Sequence, residues 1–87
     1  MNFSKIKGTP FDYSDEKYTV YFEVANKEST KLALENLNFI DKIKELNYGF
    51  ELVIAIQQIP EVVRYLANKN IAIYAVIPNK NNANLQN

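Results

Sequence analysis

Apolar and polar positions change their period several times along this chain. Over 18–25 (YTVYFEVA), Tyr18, Val20, Phe22 and Val24 alternate with Thr19, Tyr21 and Glu23. That is the period of a strand with one buried face, and its β-branched and aromatic content agrees. Over 26–47 the period lengthens. Leu32, Phe39, Ile40, Ile43 and Leu46 recur at helical spacings, with Ala33 and Leu37 on the flank of the stripe. Lys31, Glu35, Asn38, Asp41, Lys42 and Glu45 take the other side, so a helix is predicted. Asn26, Ser29 or Thr30 supplies its N-cap, Glu28 complements its dipole, and Gly49 is the expected stop. Residues 50–56 (FELVIAI) are apolar throughout after Glu51, as in a strand covered on both faces. Pro60 suits the first turn of a helix ending at 68 or 69, with Val62, Val63, Leu66 and Ala67 apolar. Asn70 can supply the left-handed residue that ends it. Residues 71–77 (IAIYAVI) form the third predicted strand, closed by Pro78.

The order strand, helix, strand, helix, strand predicts an α/β fold: a small three-layer parallel sheet with right-handed crossovers. A ferredoxin-like arrangement requires a further strand between the helices, and 50–56 is too short to be a hairpin. The domain is placed at 17–79. Residues 1–16 read as an N-terminal arm, broken by Gly8, Pro10, Asp12, Ser14 and Asp15, with Phe3, Ile6, Phe11 and Tyr13 available to pack. Residues 80–87 read as a mobile polar tail. Two strands apolar on both sides exceed what two helices and an arm can cover, so a homo-oligomer is expected.

Composition then narrows the chemistry. The 87 residues include no cysteine and no histidine. A domain of this size buries roughly 60% of its unfolded surface, and here no disulfide adds support. Thiol nucleophiles, thiolate metal sites, imidazole ligands and a Ser-His-Asp triad are all excluded. Ten basic and ten acidic residues balance, with lysines scattered, so no nucleic-acid partner is expected. No apolar run approaches the ~20 residues of a membrane span, and the first residues lack a signal-peptide core. The expectation is a cytoplasmic protein with no membrane partner.

The candidate positions are few. In an open parallel sheet ligands bind outside the carboxyl ends of the strands, which points to Asn26, Lys27, Gln57, Gln58 and Asn79. Amides at these places bond a ligand but do not act as bases, so no catalytic residue is assigned. The plainer reading is that Asn26 caps a helix and that Gln57 and Gln58 form a solvated loop. Gly8 and Gly49 are the only glycines, which rules out the glycine-rich phosphate loops. Asp12, Asp15 and Glu16 can contribute to a hard-cation site, but their spacing is not that of a calcium loop. A solvated turn is the plainer account, and no metal or cofactor is assigned. Tyr21, Tyr48, Tyr65 and Tyr74 read as packing residues with one wet end. Asn36 lies near the middle of the helical stripe, where a buried amide needs partners.

With these elements placed, the chain resembles a shortened member of the DsrE/DsrF-like sulfur-relay family. The likeness runs over 18–79: YTVYFEV, a loop with Glu28 and Ser29, LALENLNFIDKI, FELVIAI, and VVRYLANKNIAIYAVIPN, with ALEN at 33–36 the nearest local match. The resemblance implies a three-layer fold and homo-oligomers. It does not imply persulfide chemistry, because residues 74–77 occupy the stretch where similar proteins carry their cysteine. The expected function is a non-catalytic, oligomeric protein- or small-ligand-binding module. Alternatives are a small regulatory or inhibitory protein of immunity or phage type, acting by surface contact, and a metal-assisted carboxylate enzyme.

Overall fold

The predicted first strand forms at Lys17–Val24 (β1), and Tyr18, Val20, Phe22 and Val24 are buried as their alternation requires. The computed structural model describes residues 16–79. The arm at 1–15 and the tail at 80–87 lie outside the described residues. After β1 come α1 (Lys27–Glu35), β2 (Ile43–Glu45), β3 (Gly49–Ala55), α2 (Ile59–Asn68) and β4 (Ile73–Asn79). A 3-10 turn, Ile56–Gln58, leads into α2. The sheet order is β2-β3-β1-β4, and every neighbouring pair is antiparallel.

The parallel three-layer sheet is therefore corrected to a four-stranded antiparallel one. Its order and directions are those of the ferredoxin-like split βαβ arrangement. β1 and β2 run the same way with β3 between them, and β3 and β4 run the same way with β1 between them. The crossovers through the helices are real, but each skips a strand. The strand needed between the helices exists, and it lies in the second half of the segment predicted as one long helix.

That helix stops at Asn36. The N–H groups of Asn36 and Leu37 bond back only three residues, to Ala33 (3.1 Å) and Leu34 (3.0 Å), tightening the last turn. The buried face of α1 is Thr30, Ala33 and Leu34, whereas Leu32, counted in the helical stripe, is 63% exposed. Asn36 is exposed, its amide donating to the Leu32 carbonyl at 3.4 Å. Leu37, Phe39 and Ile40 pack against the core from irregular chain. The chain then pairs with the outer edge of β3. Asp41 N–H donates to the Val53 carbonyl (3.3 Å), Val53 N–H to the Lys42 carbonyl (3.2 Å) and Leu46 N–H to the Gly49 carbonyl (2.8 Å). Satisfying the backbone of a buried strand outweighs a local helical period.

One cluster forms the core: the buried residues of β1, Phe50, Leu52 and Ile54 of β3, Ala33 and Leu34 of α1, and Val62 and Leu66 of α2. Both helices thus lie on one face of the sheet, in two layers. On the other face Thr19, Tyr21, Glu23, Glu51 and Val53 are only half-buried, covered by no described element. β3 was expected to be buried on both faces, but Glu51 and Val53 show that one side is open.

Two end signals are local and form as expected. Asn26 caps α1, its side chain accepting from Ser29 N–H at 3.0 Å. Asn70 has φ 62°, and past it Ile71 N–H reaches the Leu66 carbonyl (3.1 Å) while Asn70 N–H reaches that of Ala67 (2.9 Å). That is a Schellman ending, with Leu66 and Ile71 both buried. No described helix is long and apolar enough to cross a membrane.

Candidate functional site

Antiparallel pairing divides the residues expected along one ligand-binding edge. Asn26 and Lys27 follow the end of β1, beside the start of β3. Gln57, Gln58 and Asn79 lie at the opposite end, since Lys17 pairs with Ala55 and Thr19 with Asn79. The carboxyl edge of a parallel sheet does not exist here. Asn26 is used as a cap, and the side-chain oxygen of Gln58 accepts from Ala55 N–H at 2.8 Å, closing the turn before α2. Gln57 is half-buried and Asn79 exposed. Asp12 and Asp15 lie outside the described residues. Among the described residues no group of three acidic side chains is arranged to hold a metal ion.

Of the expected residues, Lys27 reaches the groove at the β2–β3 hairpin. Its ammonium donates to the Leu46 carbonyl at 2.7 Å and pairs with Glu45 at 2.9 Å, tying the first turn of α1 to the β2–β3 hairpin. The hydrogen bond and charge of Lys27 hold the Glu45 carboxyl below its usual value. Tyr48 completes the tie from the other side, its carbonyl accepting from Val24 N–H at 3.1 Å.

These contacts leave a shallow, open groove of about 700 Å³ lined by Tyr21, Lys27, Glu45, Leu46, Asn47 and Tyr48. Tyr48 is 71% exposed. The Tyr21 hydroxyl donates to Glu23 at 3.4 Å. Desolvation, then the Glu23 charge and hydrogen bond, raise the Tyr21 hydroxyl above its ordinary value, with a further contribution from nearby Tyr48. Tyr21 therefore stays protonated at neutral pH, a hydrogen-bond donor rather than a base or nucleophile. A second groove of about 480 Å³ runs along α2 past Gln57, Arg64 and Tyr65.

The hairpin residues Glu45, Leu46, Asn47 and Tyr48 were missed from sequence because they were placed in a helix or at its stop. The available signal was Asn47-Tyr48-Gly49 between two short apolar runs, a loop of hairpin length.

No protein family, curated protein or solved structure matches the chain. The resemblance to the DsrE/DsrF-like family thus has no independent support, and the three-layer fold it implies is not the one observed.

Proposed function

We propose that the chain is a non-catalytic, cytoplasmic binding module that engages a protein partner by surface contact at the hairpin groove. The observation that carries this reading is the groove itself: exposed Tyr48 beside Tyr21, on a sheet face that no described element covers. A small-molecule pocket encloses most of its ligand, whereas this surface is open and better suited to a protein segment. Tyrosines give such surfaces large, rigid contact area with a polar end. A regulatory or inhibitory protein acts by the same kind of contact. The balance of charge supports a protein partner over nucleic acid.

Self-association belongs to the same proposal, with the uncovered face as its surface. Val53, Ala75 and Ile77 leave apolar area there. The sheet edges serve it less well. β2 is three exposed residues including Lys44 and Glu45, and β4 carries Pro78 and a bulge, both of which discourage further strand pairing.

The test is affinity capture from cells making tagged and untagged copies together, using the parent, Tyr48→Ser and Leu32→Ser chains. A defined partner retained by the parent and Leu32→Ser but lost by Tyr48→Ser supports the groove. Untagged chain carried along supports self-association. The same captured proteins with all three chains would remove the groove from the proposal.

A further inference from the structure

We propose that Glu23 is the centre of a recognition site for an arginine side chain, presented by a basic segment of a partner protein. This inference deepens the groove reading above and rests on it.

Glu23 stands on the face that no described element covers, in the middle of the sheet. Its cross-strand neighbours are Gly49 on β3 and Ala75 on β4. Both are small, so neither sends a long side chain across the carboxylate. Tyr21 shares its face two residues earlier and donates to it at 3.4 Å. Each small neighbour is followed or preceded by an exposed tyrosine: Tyr48 before Gly49, 71% exposed, and Tyr74 before Ala75, 68% exposed. Tyr74 is the extra residue of the β4 bulge, where the register passes from Glu23–Ala75 to Val24–Ile73. Bulges of this kind re-aim a side chain.

Among the described residues no cation pairs with Glu23. Lys17 pairs with Asp41 at 3.8 Å and Lys27 with Glu45 at 2.9 Å. Lys44 stands across β3, opposite Glu51 rather than Glu23. Among the described residues the polar contact of Glu23 is with the Tyr21 hydroxyl, which occupies one carboxylate oxygen. A carboxylate bonded by Tyr21, which itself lines the groove with Tyr48, complements a cation with a flat face. The guanidinium group fits best, because it bonds a carboxylate in a fork and stacks on aromatic rings. Lysine offers the charge without the plane. Tyr21 lines the groove together with Tyr48, which gives the flanking residues of a peptide somewhere to lie.

The probe is an uncharged-backbone peptide with one central arginine and flanking glycines and lysines. Its binding to the full chain is read from the amide resonances of Tyr21, Glu23, Tyr48 and Gly49. Expected is a localised shift of those resonances, with affinity falling roughly tenfold or more in Glu23→Gln. Arginine-to-lysine exchange in the peptide should weaken it, and Glu61→Gln on α2 should leave it unchanged. Equal loss in Glu61→Gln and Glu23→Gln would mean diffuse charge attraction and overturn the site. No shift, or shifts elsewhere, would overturn it as well. Free arginine amide binding as tightly as the peptide would overturn the assignment to a protein segment. A captured partner lost on Tyr48→Ser whose contact segment carries no arginine would sink this inference and leave the groove reading intact.

Discussion

Gly49 shows how a single residue can be noticed in sequence for one reason and matter in the structure for another. Its lack of a side chain marks it as a helix stop, but the helix ends at Glu35 and Gly49 instead opens β3. Its structural role is the close approach of β3 to β1: a Cβ built there strikes the Phe22 carbonyl oxygen and crowds the Glu23 backbone. Backbone cannot swing aside as a flexible side chain can, so Gly49→Ala must push β1 and β3 apart or rotate the peptide. Overpacking of this sort costs about 1–3 kcal/mol or more. Urea unfolding of Gly49→Ala should show a midpoint well below that of the parent. An unchanged midpoint would mean the strands separate there freely. The contact was illegible beforehand because it depends on which strand lies beside Gly49. Asn26 and Asn70 were legible because a cap and a left-handed ending are satisfied within one turn of chain.

At the scale of elements, the first and last strands and the second helix were readable, and the middle of the chain was not. Residues 26–47 carry a helical period that the fold divides between α1 and β2. Both readings place apolar side chains somewhere useful; the pairing needs of β3 decide between them. Missing β2 turned an antiparallel sheet into a parallel one, because strand, helix and strand without it imply a direct crossover. The same error moved Glu45 and Tyr48 out of view and separated Lys27 from its partners. The Lys27–Glu45 tie makes this division testable. Glu45 is held below its unfolded value of about 4.3, so the tie contributes stability above that pH. The contribution fades as pH falls through the lower folded value. Lys27→Met should therefore lower the melting temperature more at about pH 7 than at about pH 3, by a small amount since both side chains are partly exposed. An equal loss at both values would show that the charge pair does not hold α1 to the hairpin.

For the whole molecule, two layers have to do what three were expected to do. The apolar surplus that suggested a third layer shrinks once β3 and β4 each turn one side toward the face that no described element covers, where Glu51 and Ala75 are half-buried and Ile77 is exposed. Among the described residues, what remains inside is one cluster. Ile54 sits in that cluster with no exposure, opposite Tyr18 in the register. Its place in an apolar run marked it as core from sequence, although the run was thought to be covered on both sides. Replacing it with alanine removes packed atoms and leaves a cavity, at a cost of about 2–5 kcal/mol. A small domain has of the order of 5 kcal/mol in total, so this one change approaches the whole reserve. Circular dichroism of Ile54→Ala at 37 °C should show a largely unfolded chain. If its melting temperature lies within a degree or two of the parent, the helices do not depend on β3 for their seating. The face where Glu23 and the tyrosines stand should tolerate substitution for the opposite reason: its residues pack against no described layer.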